Sequence, residues 1–314
     1  MSFASKAKNE LCKPEKERDC CSKAELAGVI AFAGIINLSG RKRFLKINTE
    51  NASVARRIFN LIKWVFNIHT KVIIKKNRSQ RFSGSFALVI EDWEALSTLL
   101  KGIKLINKTK ENGMVTNFRN SDSITHTECC KKAYIRGAFL GGGSITDPEK
   151  NYHFEIVTHH FLLSKDLCGL INSFGLDAKI VVRKSNYVVY FKGSDNIVDI
   201  LNIIGAHKSL MELENIRIFK EVRNNVNRVV NCETANLEKT VNAAVKQIQS
   251  IELIAKHIGI ENLPDNLKEI ARMRLEYKES TLKELGEMMH PPIGKSGVNH
   301  RLRKLQEIAE RIIK

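Results

Sequence analysis

No uninterrupted apolar run in this chain approaches the roughly 20 residues that a membrane-spanning helix requires. The start, MSFASKAKNELCKPEKER, also lacks the apolar stretch of a signal peptide, so a cytoplasmic protein is expected. The seven cysteines, Cys12, Cys20, Cys21, Cys129, Cys130, Cys168 and Cys232, are odd in number and show no CxxC spacing, which argues against zinc fingers and against a disulfide framework. Acidic side chains are in short supply: 34 Asp and Glu face 51 Lys and Arg, a net charge of +17. The deficit is local, since residues 1–110 hold 22 basic against 9 acidic residues. An excess of this size points to a polyanionic partner, because lysines and arginines that neutralise phosphates release condensed counterions.

What is present begins with a duplication. Residues 20–34 read CCSKAELAGVIAFAG and residues 129–143 read CCKKAYIRGAFLGGG, an offset of 109 that also aligns Ile47 with Ile156, Thr49 with Thr158 and Leu61 with Leu170. Two copies are too few for a solenoid and imply one pseudo-twofold α+β domain over residues 1–205, with copies at about 20–110 and 129–205. The apolar periods predict, in the first copy, a helix over 24–34, a strand over 43–48, a helix over 52–66, strands over 69–75 and 83–90, and a helix over 92–100. In the second they predict a helix over 131–140, a strand over 152–158, a helix over 161–174, strands over 178–183 and 186–192, and a helix over 195–204. The Cys-Cys pairs stand at equivalent places, ahead of helices that should meet at the pseudo-twofold axis. Buried thiols are the reading adopted for them over a metal or redox site that His126, three residues before Cys129, would join, and no metal and no cofactor is assigned.

The segments LAGVIAFAG and IRGAFLGGG resemble the LAGLIDADG motif of homing endonucleases. That resemblance implies two closely packed helices at a pseudo-twofold axis and two sheets forming a saddle over DNA, and the small residues Ala24, Gly28 and Ala31 suit the helix contact. It also implies a metal-binding carboxylate at the eighth motif position, but Ala33 and Gly142 stand there, and the sixth positions are Ala31 and Leu140. The chain is therefore expected not to be an enzyme. Asp19, Glu25, Glu128 and Asp147 flank the motifs, and surface or capping roles are expected of each. GGGS at 141–144 lacks the GK[ST] of a phosphate loop and reads as a tight turn. Lys71, Lys75, Lys76, Arg78 and Arg81 cluster around the first-copy hairpin turn as candidate phosphate contacts.

Residues 206–262 read as a helical connector, with a polar, Asn-rich break at 227–240 between two helices. Beyond Leu263-Pro264, residues 263–314 form a three-helix pattern. Its helices start near Asp265, at Thr281 with a Thr281-x-x-Glu284 capping box, and near Ser296, which can cap the last helix. Helix-turn-helix modules have this layout and read bases in the major groove from the last helix. Lys283, Lys295, Ser296, Asn299, His300, Arg301, Arg303 and Lys304 are the candidate DNA-binding residues, Arg suiting guanine edges and Asn adenine.

A duplicated, acid-free LAGLIDADG-like domain followed by a helix-turn-helix resembles the WhiA family of bacterial proteins along essentially the whole chain. The residues that carry the resemblance are CCSKAELAGVIAFAG, YIRGAFLGGGSIT, NRVVNCETAN and TLKELGEMMHPPIGKSGVNHRLRKL. The family implies a non-enzymatic, nucleoid-associated protein that binds double-stranded DNA. It further implies a link to transcriptional control of sporulation in filamentous actinobacteria, and to cell division and chromosome segregation elsewhere, with a sigma factor or other regulator as a conceivable partner. Two rival readings remain: a metal-dependent nuclease with displaced carboxylates such as Asp147, and an N-terminal module that binds protein rather than DNA.

Overall fold

The computed structural model describes residues 1–13, 17–38, 42–76, 84–108, 114–116 and 124–313, and the chain divides into two units, Met1–Phe219 and Lys220–Lys314. The first unit opens with a helix absent from the sequence reading, α1 (Phe3–Leu11). Its polar composition hides a narrow stripe in which Phe3, Ala7 and Leu11, one helical turn apart, enter the core. Two repeats of a single pattern follow. The first is α2 (Asp19–Ala33), β1 (Gly34–Asn37), β2 (Phe44–Thr49), α3 (Ala52–Phe66), β3 (Lys71–Lys76), β4 (Gly84–Ile90) and α4 (Trp93–Gly102), with a short ladder β5 (Ile106–Lys108) and β6 (Met114–Thr116) after it. The second is α5 (Glu128–Gly142), β7 (Gly143–Ile145), β8 (Phe154–Thr158), α6 (Phe161–Asn172), β9 (Lys179–Arg183), β10 (Asn186–Phe191) and α7 (Ser194–Ile204).

Each repeat folds into an antiparallel four-stranded sheet, ordered β1-β2-β4-β3 in one and β7-β8-β10-β9 in the other. The first strand of each sheet escaped the sequence reading because it begins at the residue directly after the motif helix. Glycine makes this junction: a Cβ on Gly34 would stand 2.4 Å from the Ile30 carbonyl oxygen, and one on Gly143 would stand 2.7 Å from that of Phe139. Helix α3 begins where Asn51 accepts hydrogen bonds from the backbone N–H groups of Ser53 and Val54, and it buries Val54, Ile58, Leu61 and Ile62 against the sheet. Leu45 and Ile30 line the first copy's core where the second copy has Phe154 and Phe139, whose rings stack with a 5.4 Å centroid separation.

The two copies meet through α2 and α5. A Cβ on Gly28 would lie 2.3 Å from the Tyr134 carbonyl oxygen, and one on Gly137 would lie 2.0 Å from that of Glu25. The helices thus touch backbone to backbone at reciprocal glycines, the close approach that small residues permit. Helix α8 (His207–His257) then starts where the Glu10 carboxylate accepts from the N–H groups of Lys208 (2.6 Å) and Ser209 (2.9 Å), satisfying donors that a helix start leaves open.

The break expected at 227–240 does not exist, because α8 runs through it. The stretch is polar but holds neither glycine nor proline, and asparagine costs a helix well under about 1 kcal/mol. In the second unit, the end of α8 gives Ile251 and Ile254 to a core shared with α9 (Asp265–Glu276), α10 (Leu282–Met288) and α11 (Lys295–Ile313), where Ile270, Leu285, Met289, Val298 and Leu302 are at most 1% exposed.

Candidate nucleic-acid interface

The second unit presents α11 as a helix with one side embedded. Val298, Leu302, Leu305 and Ala309 are buried, whereas Ser296, Asn299, His300, Arg303 and Lys304 are exposed on the opposite side, with Lys295 exposed at the helix start. Among the described residues, Lys295, Arg303 and Lys304 have no carboxylate within salt-bridge distance, while Lys283 on α10 lies 3.8 Å from Glu287. The helix is placed by its neighbours. The Thr281–Glu284 capping box forms in full, and Gly286 lets the turn come so close that a Cβ there would stand 2.2 Å from the Ile293 carbonyl oxygen. Arg274, 2% exposed, donates to the Ser280 carbonyl at 2.7 Å and so pins the α9–α10 link.

Ser296 and Arg301 depart from their expected places. Ser296 does not cap α11; the helix already includes Lys295, and the Gly294 carbonyl accepts the N–H groups of Gly297 and Val298. Arg301 is only partly on the solvent face. It is half-buried at the margin of the apolar stripe, where its guanidinium is 3.4 Å from the Asn266 carbonyl oxygen and 3.9 Å from the Met289 sulfur.

The second basic region lies on β3, the edge strand of the first-copy sheet. Pairing of Lys71 with Val89 and of Lys46 with Val89 puts both lysines on one face, together with Lys75, and it is the face turned away from the buried Leu45, Ile47 and Leu88. Lys71 and Lys75 are exposed. Lys76 closes the strand, and its side chain, with Arg78 and Arg81, lies outside the described residues. The equivalent face of the second sheet is partly neutralised, since Glu155 holds Arg183 at 3.3 Å and His153 at 3.0 Å.

At the C-terminal ends of α2 and α5, where the nuclease motif would set two carboxylates, Ala33 and Gly142 offer no oxygen for a divalent cation. The backbone has also closed over the second position, because a Cβ on Gly142 would fall 2.7 Å from the Val157 carbonyl oxygen. Asp147 is occupied in a turn, its Oδ1 accepting from the Glu149 N–H at 3.0 Å. Asp19 and Glu128 sit in the first turns of α2 and α5 and face Lys23 and Lys132 one turn on.

Glu25 departs from the surface or capping role expected of it. It is fully buried between the copies, where Arg57 Nε and Nη2 reach its two oxygens at 2.9 Å each and Arg136 Nη2 reaches Oε2 at 2.7 Å. Burial pushes the carboxyl up, but the two guanidinia outweigh it and hold the group below the usual carboxylate range. Its partners are 32 and 111 residues away, so no local pattern announces it.

The opposite ends of the same two helices bring together the four sulfurs of Cys20, Cys21, Cys129 and Cys130, all within 4.8 Å of one another. Cys21 and Cys130 are buried, as read from the sequence; Cys20 and Cys129 are more exposed. The Thr127 hydroxyl at 3.2 Å and the Cys21 thiol bring the Cys129 thiol down to about 7, whereas burial pushes Cys21 and Cys130 up. The usable signal was the equivalence of the pairs in the repeat.

Family models match the chain in three stretches: a WhiA N-terminal LAGLIDADG-like domain at residues 19–106, a WhiA LAGLIDADG-like domain at 131–223 and a WhiA C-terminal HTH domain at 226–309. The chain is 54% identical over 312 residues to a probable cell division protein WhiA of Alkaliphilus metalliredigens, covering 99% of this chain and 98% of that one. It is 49% identical over 312 residues to the protein of the same name from Clostridium botulinum, with 99% of each covered. The crystal structure of full-length WhiA from Thermatoga maritima superposes with a TM-score of 0.61 at 26% identity, over 99% of both chains. No helix among the described residues is long and apolar enough to cross a membrane.

Proposed function

The chain belongs to the WhiA family, and on that premise we propose that it is a DNA-binding protein of bacterial cell division that reads duplex DNA with α11 and does not cut it. The observation that carries the reading is the solvent face of α11, where Asn299, His300, Arg303 and Lys304 stand with no acid before Glu307. Bidentate donors on the first turns of a recognition helix are what the major groove selects. The lysines of the first sheet, Lys46, Lys71 and Lys75, add phosphate contacts that bind without reading sequence. The absence of cleavage follows from Ala33 and Gly142, which leave no ligand pair for a divalent ion. The finer reading is a transcriptional regulator with a part in cell division and chromosome segregation that resides on the nucleoid.

Binding of genomic fragments at two salt concentrations with Mg²⁺ present tests this directly. The full chain should select particular fragments and leave them intact. Asn299→Ala and Arg303→Ala should each lose roughly 1–3 kcal/mol of discrimination at one base position. Lys71→Glu with Lys75→Glu should weaken all fragments alike and lower the salt slope by about one per lost contact. Cleaved fragments, or α11 variants that bind as the wild type does, would sink the proposal. If only the lysine reversals are silent, the N-terminal domain docks a protein, such as a sigma factor, rather than DNA.

A further inference from the structure

We propose that Cys20, Cys21, Cys129 and Cys130 bind one zinc ion as a tetrathiolate site that clamps the two copies together at the N-terminal ends of α2 and α5. The reciprocal crossing at Gly28 and Gly137 sets the first turns of the two helices side by side, and each turn carries an adjacent cysteine pair. The four sulfurs lie within 4.8 Å of one another, with Cys20 and Cys21 Sγ 3.9 Å apart. A tetrahedral ion with Zn–S bonds of about 2.3 Å needs thiolates about 3.8 Å apart. The spacing therefore suits a single ion, whereas an iron–sulfur cluster would insert iron and sulfide between the thiolates and spread them. A disulfide within either pair is disfavoured, because neighbouring Cα atoms are only about 3.8 Å apart and a disulfide prefers about 4.4–6.8 Å.

The surroundings complement the charge. Four thiols lose four protons to solvent as Zn²⁺ enters, leaving a site of net charge −2 and no change of oxidation state. Two helix N-termini converge on it, and their partial positive charge favours thiolates. The Thr127 hydroxyl, 3.2 Å from Cys129 Sγ, is placed to donate to a ligand from just outside the coordination sphere. The CxxC rule is silent because each half-site is an adjacent pair and its complement lies 109 residues away. The site stands at the end of the motif helices remote from Ala33 and Gly142.

The test uses the full chain purified without chelator. Elemental analysis should find one zinc per chain in the wild type and in Cys168→Ser and Cys232→Ser, and less than one tenth of that in Cys20→Ser and Cys129→Ser. Those two are the more exposed ligands, chosen so that folding survives, with tryptophan fluorescence as the check. Cobalt added to chelator-stripped, reduced wild type should give the charge-transfer and d–d bands of a tetrahedral tetrathiolate, with zinc displacing it. Wild type that holds no stoichiometric metal and gives no such cobalt spectrum overturns the proposal, as does a Cys20–Cys129 or Cys21–Cys130 disulfide as the form isolated under reducing conditions.

Discussion

Glu25 shows how much one side chain can decide. It sits between Arg57 of its own copy and Arg136 of the other, with Glu17 as a second acid beside both. Removing its charge leaves the partly exposed Glu17 as the acid beside two largely buried guanidinia, and Glu25→Gln should cost roughly 3 kcal/mol. Both tryptophans, Trp64 and Trp93, lie in the first unit, so their fluorescence during denaturant unfolding reports this loss separately from the second unit. The pH dependence has a definite sign. The folded carboxyl titrates below its unfolded value, so its contribution is present above the ordinary Glu range and fades as pH falls through the depressed value. Acid unfolding of the wild type should be steeper on this flank than that of Glu25→Gln. The position equivalent to Glu25 in the second copy is Tyr134, whose hydroxyl is buried with no hydrogen-bond partner among the described residues. Tyr134→Phe should therefore leave stability unchanged or raise it by up to about 1 kcal/mol; a clear loss would mean that the hydroxyl is bonded.

Among the helices, two glycines make opposite predictions. Gly137→Ala drives a methyl group into the Glu25 carbonyl and must separate α2 from α5, at a cost of roughly 3 kcal/mol. Gly169, inside α6, has nothing within 4 Å of its would-be Cβ, so Gly169→Ala should gain about 0.5–1 kcal/mol from helix propensity alone. The denaturation midpoints of the two variants, moving in opposite directions, check both. Elements with a strong period were legible: α3 spans the expected 52–66, and the Thr281 box forms as its spacing implied. Elements whose signal is tertiary were not. Helix α1 has only three core residues in a polar frame, β1 and β7 are too short for a period, and the Asn-rich middle of α8 reads as a turn unless the absence of Gly and Pro is weighed. The site divides likewise. Residue types on α11 were readable from its stripe, but Arg301 was not, because its placement depends on Asn266 and Met289 in neighbouring elements.

For the molecule as a whole, duplication produced a frame with two equivalent halves, and divergence gave them different work. The first sheet keeps an open basic face, while the second pairs Arg183 with Glu155. The closing of β8 over Gly142 carries this divergence further. Placing acids at the motif positions by Ala33→Asp with Gly142→Asp should not create Mg²⁺-dependent cleavage, and it should lower the stability of the first unit; supercoiled plasmid incubated with the double variant is the assay. A carboxylate at position 142 has no room until the strand retreats, and the strand has no reason to retreat until the carboxylate is there. For any lineage that passed from an acid-bearing sequence to this one, the passage works as a ratchet, with the way back blocked by main chain rather than by the lack of a single codon change.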